Sequence, residues 1–515
     1  MPRTEENATP ARGERARVGL VSLGCAKNRV DSEVMLGLLR EAGYGITADP
    51  AEADVIIVNT CGFIGPAKKE SIDTILEMAQ FKREAGDGRG HARALLVGGC
   101  LAQRYPEELA AELPEVDVFF GTNEVDKVVR LVEAALAGRG GNERREGGEK
   151  GEREETEETD RRGERDERGE QGEPVGRSPR VTVTRVPRFL YDDTMPRVLS
   201  TPAPTAYVKI AEGCDHACAF CIIPRLRGKL RSRPPDSVLR EARRLAEQGV
   251  QELVLVAQDV TAYGKDLYGE PKLATLLREL DRVEGLRWIR LLYTYPTSIT
   301  DELLAAVAEL PKVCKYIDLP LQHADDRVLE RMRRLGRGNG VAGRRADLER
   351  LVDRIRRRIP GVALRTSFIV GFPGETDEAF GRLLEFMREM EFDHAGVFAY
   401  SREEGTVAAL YPDQVPAAVK RARRAEAMRL QQAISLGRRR ARVGQEVMVV
   451  VEHRGPPGRG RLIGRTEWQA PEVDGKVFIR VPGEETAGPG AAPGQFARVR
   501  LTGARPYDWL AELVR

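Results

Sequence analysis

At 515 residues the chain has room for three domains of ordinary size. Hydrophobic residues make up 41% and charged residues 31%, with a net charge of +2, so the surface is heavily charged but the balance argues for neither a nucleic-acid nor a membrane partner. No uncharged apolar run reaches the roughly 20 residues of a membrane helix, MPRTEENATPARGERARVGL has no signal-peptide core, and seven cysteines in so large a chain favour thiolate chemistry over a disulfide framework; a cytoplasmic protein is expected.

The first segment repeats one pattern three times. VGLVSLGC is an apolar strand running into Cys25, with a helix from about Asp31. DVIIVNTC runs into Cys61 and is followed by the helical KKESIDTILEMAQ. ALLVGGC runs into Cys100 and is followed by PEELAAEL. Alternating strand and helix predicts a parallel sheet, with its site outside the strand C-termini. Three cysteines distant in sequence then stand at one edge of one sheet, as thiolate ligands of a cluster would. Three buried structural cysteines are the alternative, since cysteine is among the most buried residue types. Such residues would fall mid-strand or on helix faces rather than at one topological spot.

A change of composition follows. Residues 139–173 hold 14 acidic, 9 basic and 8 glycine residues among 35, and no apolar one. Such a stretch buries nothing to offset its ordering entropy, so a disordered linker is expected over 138–180, after an N-terminal domain at 16–137.

Residues 200–437 again alternate strand and helix. Apolar runs occur at 205–211, 252–258, 286–296, 316–320, 362–373 and 394–401, with amphipathic stretches such as PDSVLREARRLAEQG and TDEAFGRLLEFMREM between them. Six βα units predict a complete or partial parallel barrel with its site at the C-terminal mouth. Polar and glycine residues collect at the strand ends: Gln258–Asp259, Tyr295, Gln322–His323 and Gly371 to Glu375. Gln258, Gly371 and Glu375 are candidates for cofactor contact, the glycine because it permits close backbone approach, with a plain turn after a strand as the alternative for Gly371 to Glu375.

After the first of these strands comes GCDHACAFCIIP, with cysteines at 214, 218 and 221. Iron–sulfur clusters are normally held by four thiolates. Three leave one iron open for a substrate or cofactor, as catalytic metal sites do. A zinc site would need His216 as fourth ligand, and no second CxxC accompanies it. The basic run RLRGKLRSR, 225–233, reads as a solvated loop, with cofactor or substrate contact as the alternative. Cys314 belongs to neither trio and reads as a core residue, and His91, His394 and His453 show no partner pattern.

From about residue 440 to 513, five short strand patterns predict a small β-barrel. It carries 12 Lys/Arg against 9 Asp/Glu from residue 440 onward, a weak RNA footprint.

CxxxCxxC after the first strand of a βα barrel resembles the radical S-adenosylmethionine (SAM) enzymes. A three-cysteine domain before the barrel and a TRAM-like β-barrel after it resemble, together, the methylthiotransferases. The resemblance implies an α/β protein of three parts: a three-cysteine α/β domain with a parallel sheet, a central radical SAM partial barrel, and a C-terminal small β-barrel. It implies that Cys214, Cys218 and Cys221 hold one [4Fe-4S] cluster whose open iron chelates SAM. It further implies that Cys25, Cys61 and Cys100 hold an auxiliary [4Fe-4S] cluster carrying the sulfur to be transferred. Two SAM molecules per turnover and an electron donor such as a flavodoxin or ferredoxin are implied, and a monomer is expected.

Within that family, LGCAKNRVDSE, CDHACAFCIIP, APEVDGKVFI and YDWLAEL resemble the branch acting on ribosomal protein S-twelve of the small subunit, at the β-carbon of an aspartate. The other branch modifies an adenosine of tRNA by the same chemistry and is the alternative substrate class. An iron–sulfur or zinc carrier without enzymatic activity is a third reading. Ala26 stands where the branch pattern has proline, and the linker is long for the family. The C-terminal barrel is expected to dock the protein substrate.

Overall fold

The computed structural model describes residues 15–82, 90–143, 179–202, 204–334, 344–455, 462–481 and 492–514. The chain forms two compact units. One comprises residues 1–24, 34–62 and 66–185, and the other residues 25–33, 63–65 and 186–515.

The first unit is built on a six-stranded parallel sheet. Its strands are β1 (Arg15–Ser22), β2 (Tyr44–Thr47), β3 (Val55–Thr60), β4 (Ala94–Gly99), β5 (Val118–Phe120) and β6 (Arg180–Thr182), in the order β2-β1-β3-β4-β5-β6. The middle strands VIIVNT and ALLVGG are buried along their whole length, as strands covered by helices on both faces must be. The three expected units are present, and β2, β5 and β6 extend them. The helix Val128–Glu143 runs into the stretch expected to be linker, of which residues 144–178 lie outside the described residues. The chain then returns to this same sheet: Val118, Phe119 and Phe120 pair with Arg180, Val181 and Thr182. The unit therefore does not end at residue 137. The signal missed was a short valine–threonine alternation (RVTVT) beyond the charged run.

The second unit contains six parallel strands arranged as two three-stranded sheets, a partial barrel. They are β7 (Thr205–Lys209), β10 (Glu252–Val256), β11 (Trp288–Leu291), β12 (Tyr316–Asp318), β13 (Ala363–Val370) and β14 (His394–Ala399). Between β7 and β10 a short antiparallel pair, β8 (Ala211–Glu212) and β9 (Arg231–Ser232), brackets the cysteine loop. Val208, Leu253, Leu255, Ile289, Ile317, Leu364 and Phe368 form the core, with Cys314 buried beside β12 as expected.

The C-terminal strands close into a barrel in the order β15-β16-β17-β19-β18. These are Glu446–Arg454, Leu462–Thr466, Val477–Arg480, Trp509–Leu513 and Phe496–Ala504, respectively. Val449, Val451, Val477, Ile479, Val499 and Trp509 fill it. Its β16–β17 connection reaches the beginnings of the large barrel's strands. Arg465 pairs with Glu252, the first residue of β10, at 2.6 Å. Arg290 of β11 donates to the Glu467 carbonyl at 2.7 Å. The hydroxyl of Tyr316, first in β12, donates to Asp474 at 2.7 Å, and His394, first in β14, sits 2.7 Å from the Trp468 carbonyl. The small barrel thus braces the N-terminal ends of the strands, where parallel barrels carry stability rather than catalysis. The bracing role adds to the docking role expected for this domain. The face it buries holds the barrel's bottom, opposite the cysteine loop, and only its remaining surface is open to a partner.

Candidate active site

The loop carrying Cys214, Cys218 and Cys221 is fixed at both ends and in the middle. The Cys214 amide donates to the Gly228 carbonyl (3.0 Å), Cys221 to Cys218 (3.1 Å), and Ala219 to Met332 (3.0 Å). None of the three is in a disulfide. Burial pushes the thiols of Cys214 and Cys221 up to about 12. Such thiols are neutral until a metal displaces their protons. Among the described residues no three Cys, His, Asp or Glu converge on one point as around a single ion. A cluster instead gives each thiolate its own iron.

His216, inside the loop, faces away from this role. Its Nε2 is 2.7 Å from Asp259, and its ring stacks on Tyr295 at 3.5 Å, nearly parallel. Asp259 in turn accepts from the Thr261 amide at 2.9 Å, and the Tyr295 amide donates to the Thr261 hydroxyl at 3.1 Å. The histidine therefore ties the cysteine loop to the C-terminal ends of β10 and β11. Cys218 lies 3.9 Å from the Tyr295 hydroxyl, and Arg334 lies over the Tyr295 ring with one nitrogen 3.7 Å from the Cys218 sulfur.

The other expected contacts divide. Gln258, two residues past β10, donates to Glu212, while its own carbonyl oxygen is buried without a hydrogen-bond partner. A buried acceptor left unsatisfied is costly, so this atom suits a donor brought by a ligand. Glu375 is spent within the chain: it accepts from the Gly371 amide (2.7 Å) and the Phe372 amide (3.3 Å) and pairs with Arg423 (2.9 Å). Gly371 has φ +70°, and a Cβ there would stand 2.3 Å from the Lys420 side chain. Its glycine is required by packing against the helix Ala417–Arg440, a reason the sequence did not reveal.

Cys25, Cys61 and Cys100 follow three adjacent parallel strands. Thr60 and Gly99 are paired residues in the β3–β4 register, so Cys61 and Cys100 leave the sheet side by side. A Cβ on Gly62 would meet the Cys100 carbonyl at 2.7 Å, which shows how closely the two turns approach. The Cys61 backbone is held twice by Ser71, which accepts from its amide and donates to its carbonyl, both at 3.0 Å. Cys25 lies three residues beyond β1, and Ser22 pairs with Asn59 of β3.

The basic run is solvated only in part: Arg225 and Lys229 are exposed, whereas two of its arginines are buried. Arg227 is buried against Asp31 (2.9 Å), Glu212 (3.1 Å) and Asn28 (2.6 Å), and Arg233 is fully buried on Glu241. Lys209 pairs with Asp31 and, at 2.8 Å, with Glu212. Burial alone would raise Glu212, but Arg227 and Lys209 outweigh it and hold the carboxyl well below its ordinary value. Asn28 and Asp31 come from the stretch directly after Cys25, so the sequence signal was the polar run KNRVDSE itself.

Three family models match in chain order: the uncharacterized protein family UPF0004 over residues 17–121, the radical SAM superfamily over 208–387, and the TRAM domain over 443–514. The chain is 49% identical to the ribosomal protein uS12 methylthiotransferase RimO of Pelotomaculum thermopropionicum, over 97% of this chain and 99% of the relative. The proteins of the same name from Heliobacterium modesticaldum (49%, 97% and 95%) and Symbiobacterium thermophilum (48%, 97% and 91%) are similarly close. The chain belongs to the RimO family. It is a radical SAM methylthiotransferase whose cofactors are two [4Fe-4S] clusters and SAM. At the level of fold, the radical SAM methyltransferase TsrM of Kitasatospora setae superposes with a TM-score of 0.50 at 16% identity, covering 77% of each chain.

Proposed function

We propose that this RimO-family chain adds a methylthio group to the β-carbon of an aspartate in ribosomal protein uS12. The observation that carries the reading is near-full-length identity of 49% to proteins bearing that name, together with the two cysteine trios at strand C-termini. In this reading Cys214, Cys218 and Cys221 hold the cluster that binds SAM, and Cys25, Cys61 and Cys100 hold the auxiliary one. The residues suit the groups: thiols outside any disulfide, a loop anchored by His216 and Tyr295, and the orphaned Gln258 carbonyl at the same mouth. When bound, the clusters and SAM supply one-electron chemistry and the sulfur donor. The chain positions the loop, keeps the strand ends dry and presents Gln258 to the cofactor. The Gly371–Glu375 loop meets the cofactor through its backbone, with Glu375 as its internal brace.

No helix among the described residues is long and apolar enough to cross a membrane, and the substrate is ribosomal, so the proposed place of action is the cytoplasm. A flavodoxin or ferredoxin is the proposed electron donor and a monomer the proposed state. The test is anaerobic reconstitution with iron and sulfide, reduction, and SAM, with unmodified uS12 in one tube and an anticodon-stem tRNA in another. A methylthio mass gain on the uS12 aspartate is expected; a gain on tRNA alone would overturn the assignment of substrate.

A further inference from the structure

The polar network beside the barrel mouth does not balance its charges. Lys27, Lys209 and Arg227 are buried cations, at 8%, 0% and 4% exposure. The acids among them are Asp31 and Glu212, both 2% exposed. Both are committed: Asp31 to Lys209 and Arg227, and Glu212 to Lys209, Arg227 and Gln258. The neighbouring buried set closes on its own, with Arg197 and Arg233 against Glu33 and Glu241. Among these directly paired side chains the surplus positive charge is Lys27; the Cys25 thiol, two residues before it, also acts on that charge but is assigned to iron in the proposed function.

Burial works against the Lys27 ammonium, and Tyr293, Cys25 and Glu212 favour it, yet among the described residues no anion is paired with it directly. It lies 3.3 Å from the centroid of the Tyr293 ring and 3.5 Å from the Ala257 carbonyl, and it forms no ion pair among the described residues. A ring face and a long carbonyl contact offset only part of the cost of taking an ammonium out of water. Tyr293 is itself held in a left-handed conformation (φ +65°), with its amide bound to Asp318 at 2.9 Å and its carbonyl taken by Val260 at 3.0 Å. Strain of that kind in a non-glycine residue persists only where the surroundings impose it, and it collects at functional sites. Ala257 follows β10 and Tyr293 follows β11. Tyr295, two residues on, carries the cysteine loop through His216.

We propose that Lys27 is the seat of a ligand carboxylate, and that the carboxylate is the side chain of the substrate aspartate. A directly paired anion then arrives with the substrate, and the lysine reads the group attached to the carbon that reacts. This rests on the proposed substrate. SAM carries a carboxylate too, and the experiment separates the two sources.

The reconstituted enzyme, Lys27→Met and Lys27→Gln are compared on uS12 and on uS12 with its target aspartate changed to asparagine. A charge-assisted hydrogen bond lost to an amide predicts a preference of about tenfold or more in kcat/KM for the wild type. Both variants should shrink that preference to about twofold while SAM affinity and SAM cleavage without uS12 stay within about twofold. The ratio compares two substrates on one protein, so partial loss of folded enzyme cancels. A preference retained by the variants overturns the proposal. So does a wild type indifferent to the asparagine change, with the proposed function left standing. Weakened SAM affinity in the variants overturns it by assigning the carboxylate to SAM. Wild-type activity on tRNA and none on uS12 removes the proposed function, and this inference with it, before any variant is examined.

Discussion

Replacing Glu252 by glutamine should loosen the join between the small β-barrel and the large one. The carboxylate accepts from Arg290 Nε (2.9 Å) and Arg465 (3.2 Å) on one oxygen, and from Arg465 (2.6 Å) and the Thr205 hydroxyl (2.9 Å) on the other. All three charged side chains are fully buried. Glutamine keeps one acceptor oxygen but turns an NH₂ toward donors on Arg465 and Thr205. Arg290 then has no carboxylate in this cluster, and Arg465 keeps only Glu452. Breaking a buried pair from one side costs about 3–5 kcal/mol. At about 1–1.5 °C per kcal/mol for a unit of this size the melting point should fall by roughly 5 °C. The control is Glu512→Gln, which removes a surface pair whose partners are 74% and 40% exposed and which is worth about 1 kcal/mol at most.

Calorimetry of the anaerobic holoenzyme reads both variants. The pH dependence adds a second handle. Burial alone would raise Glu252, but Arg465 and Arg290 outweigh it and hold the carboxyl down to about 2, against an ordinary 4.5. The folded state therefore binds this proton less readily than the unfolded chain. Its contribution is complete above pH 4.5 and disappears as the pH falls toward 2. The gap between wild type and variant should be full at neutral pH and should narrow below pH 4.5. Melting points for Glu252→Gln and Glu512→Gln that agree within about 1 °C would refute the claim that this cluster holds the two barrels together.

Cys218→Ala should lower the iron content from about eight to about four per chain and abolish SAM cleavage, while Cys61→Ala should lose the same amount of iron and keep SAM cleavage; iron analysis and 5′-deoxyadenosine release check both. Gln258→Leu removes the orphaned acceptor and should weaken SAM binding about tenfold with iron content unchanged, as titration calorimetry would read. Glu375→Gln leaves Arg423, itself 8% exposed, without its buried acid and loosens the Gly371–Phe372 amides; it should cost about 3 kcal/mol in a thermal melt and weaken SAM binding in titration calorimetry.

Periodicity made the frame legible. Fully apolar runs ending in cysteine or in polar and glycine residues marked buried parallel strands and their C-terminal ends, and the six cysteines proposed as cluster ligands came with them. What stayed hidden was set by partners distant in sequence. Arg227 and Arg233 look like solvated charges until Asp31, Glu212 and Glu241 fold against them. His394 showed no pattern because its neighbours, Asp474 and the Trp468 carbonyl, belong to the C-terminal barrel. Lys27 was passed over because nothing local separates an ammonium over a tyrosine ring from one in water. Glycine at 371 suggested a cradle for a ligand, whereas a lysine stem occupies that space.

The return of the chain to the first sheet has a consequence for how the gene could be cut. Strand β6 pairs with β5, and Thr184 just beyond it is bound from the other side of the charged stretch: its amide meets Glu124 at 3.1 Å and its carbonyl takes the Gln103 side chain at 3.1 Å. Two polypeptides made separately, one ending and the other beginning within residues 144–178, carry five strands of one sheet and its sixth. Residues 180–184 would serve as the docking tag of the second half on the first, making this the natural seam for a split enzyme whose assembly can be switched on by mixing.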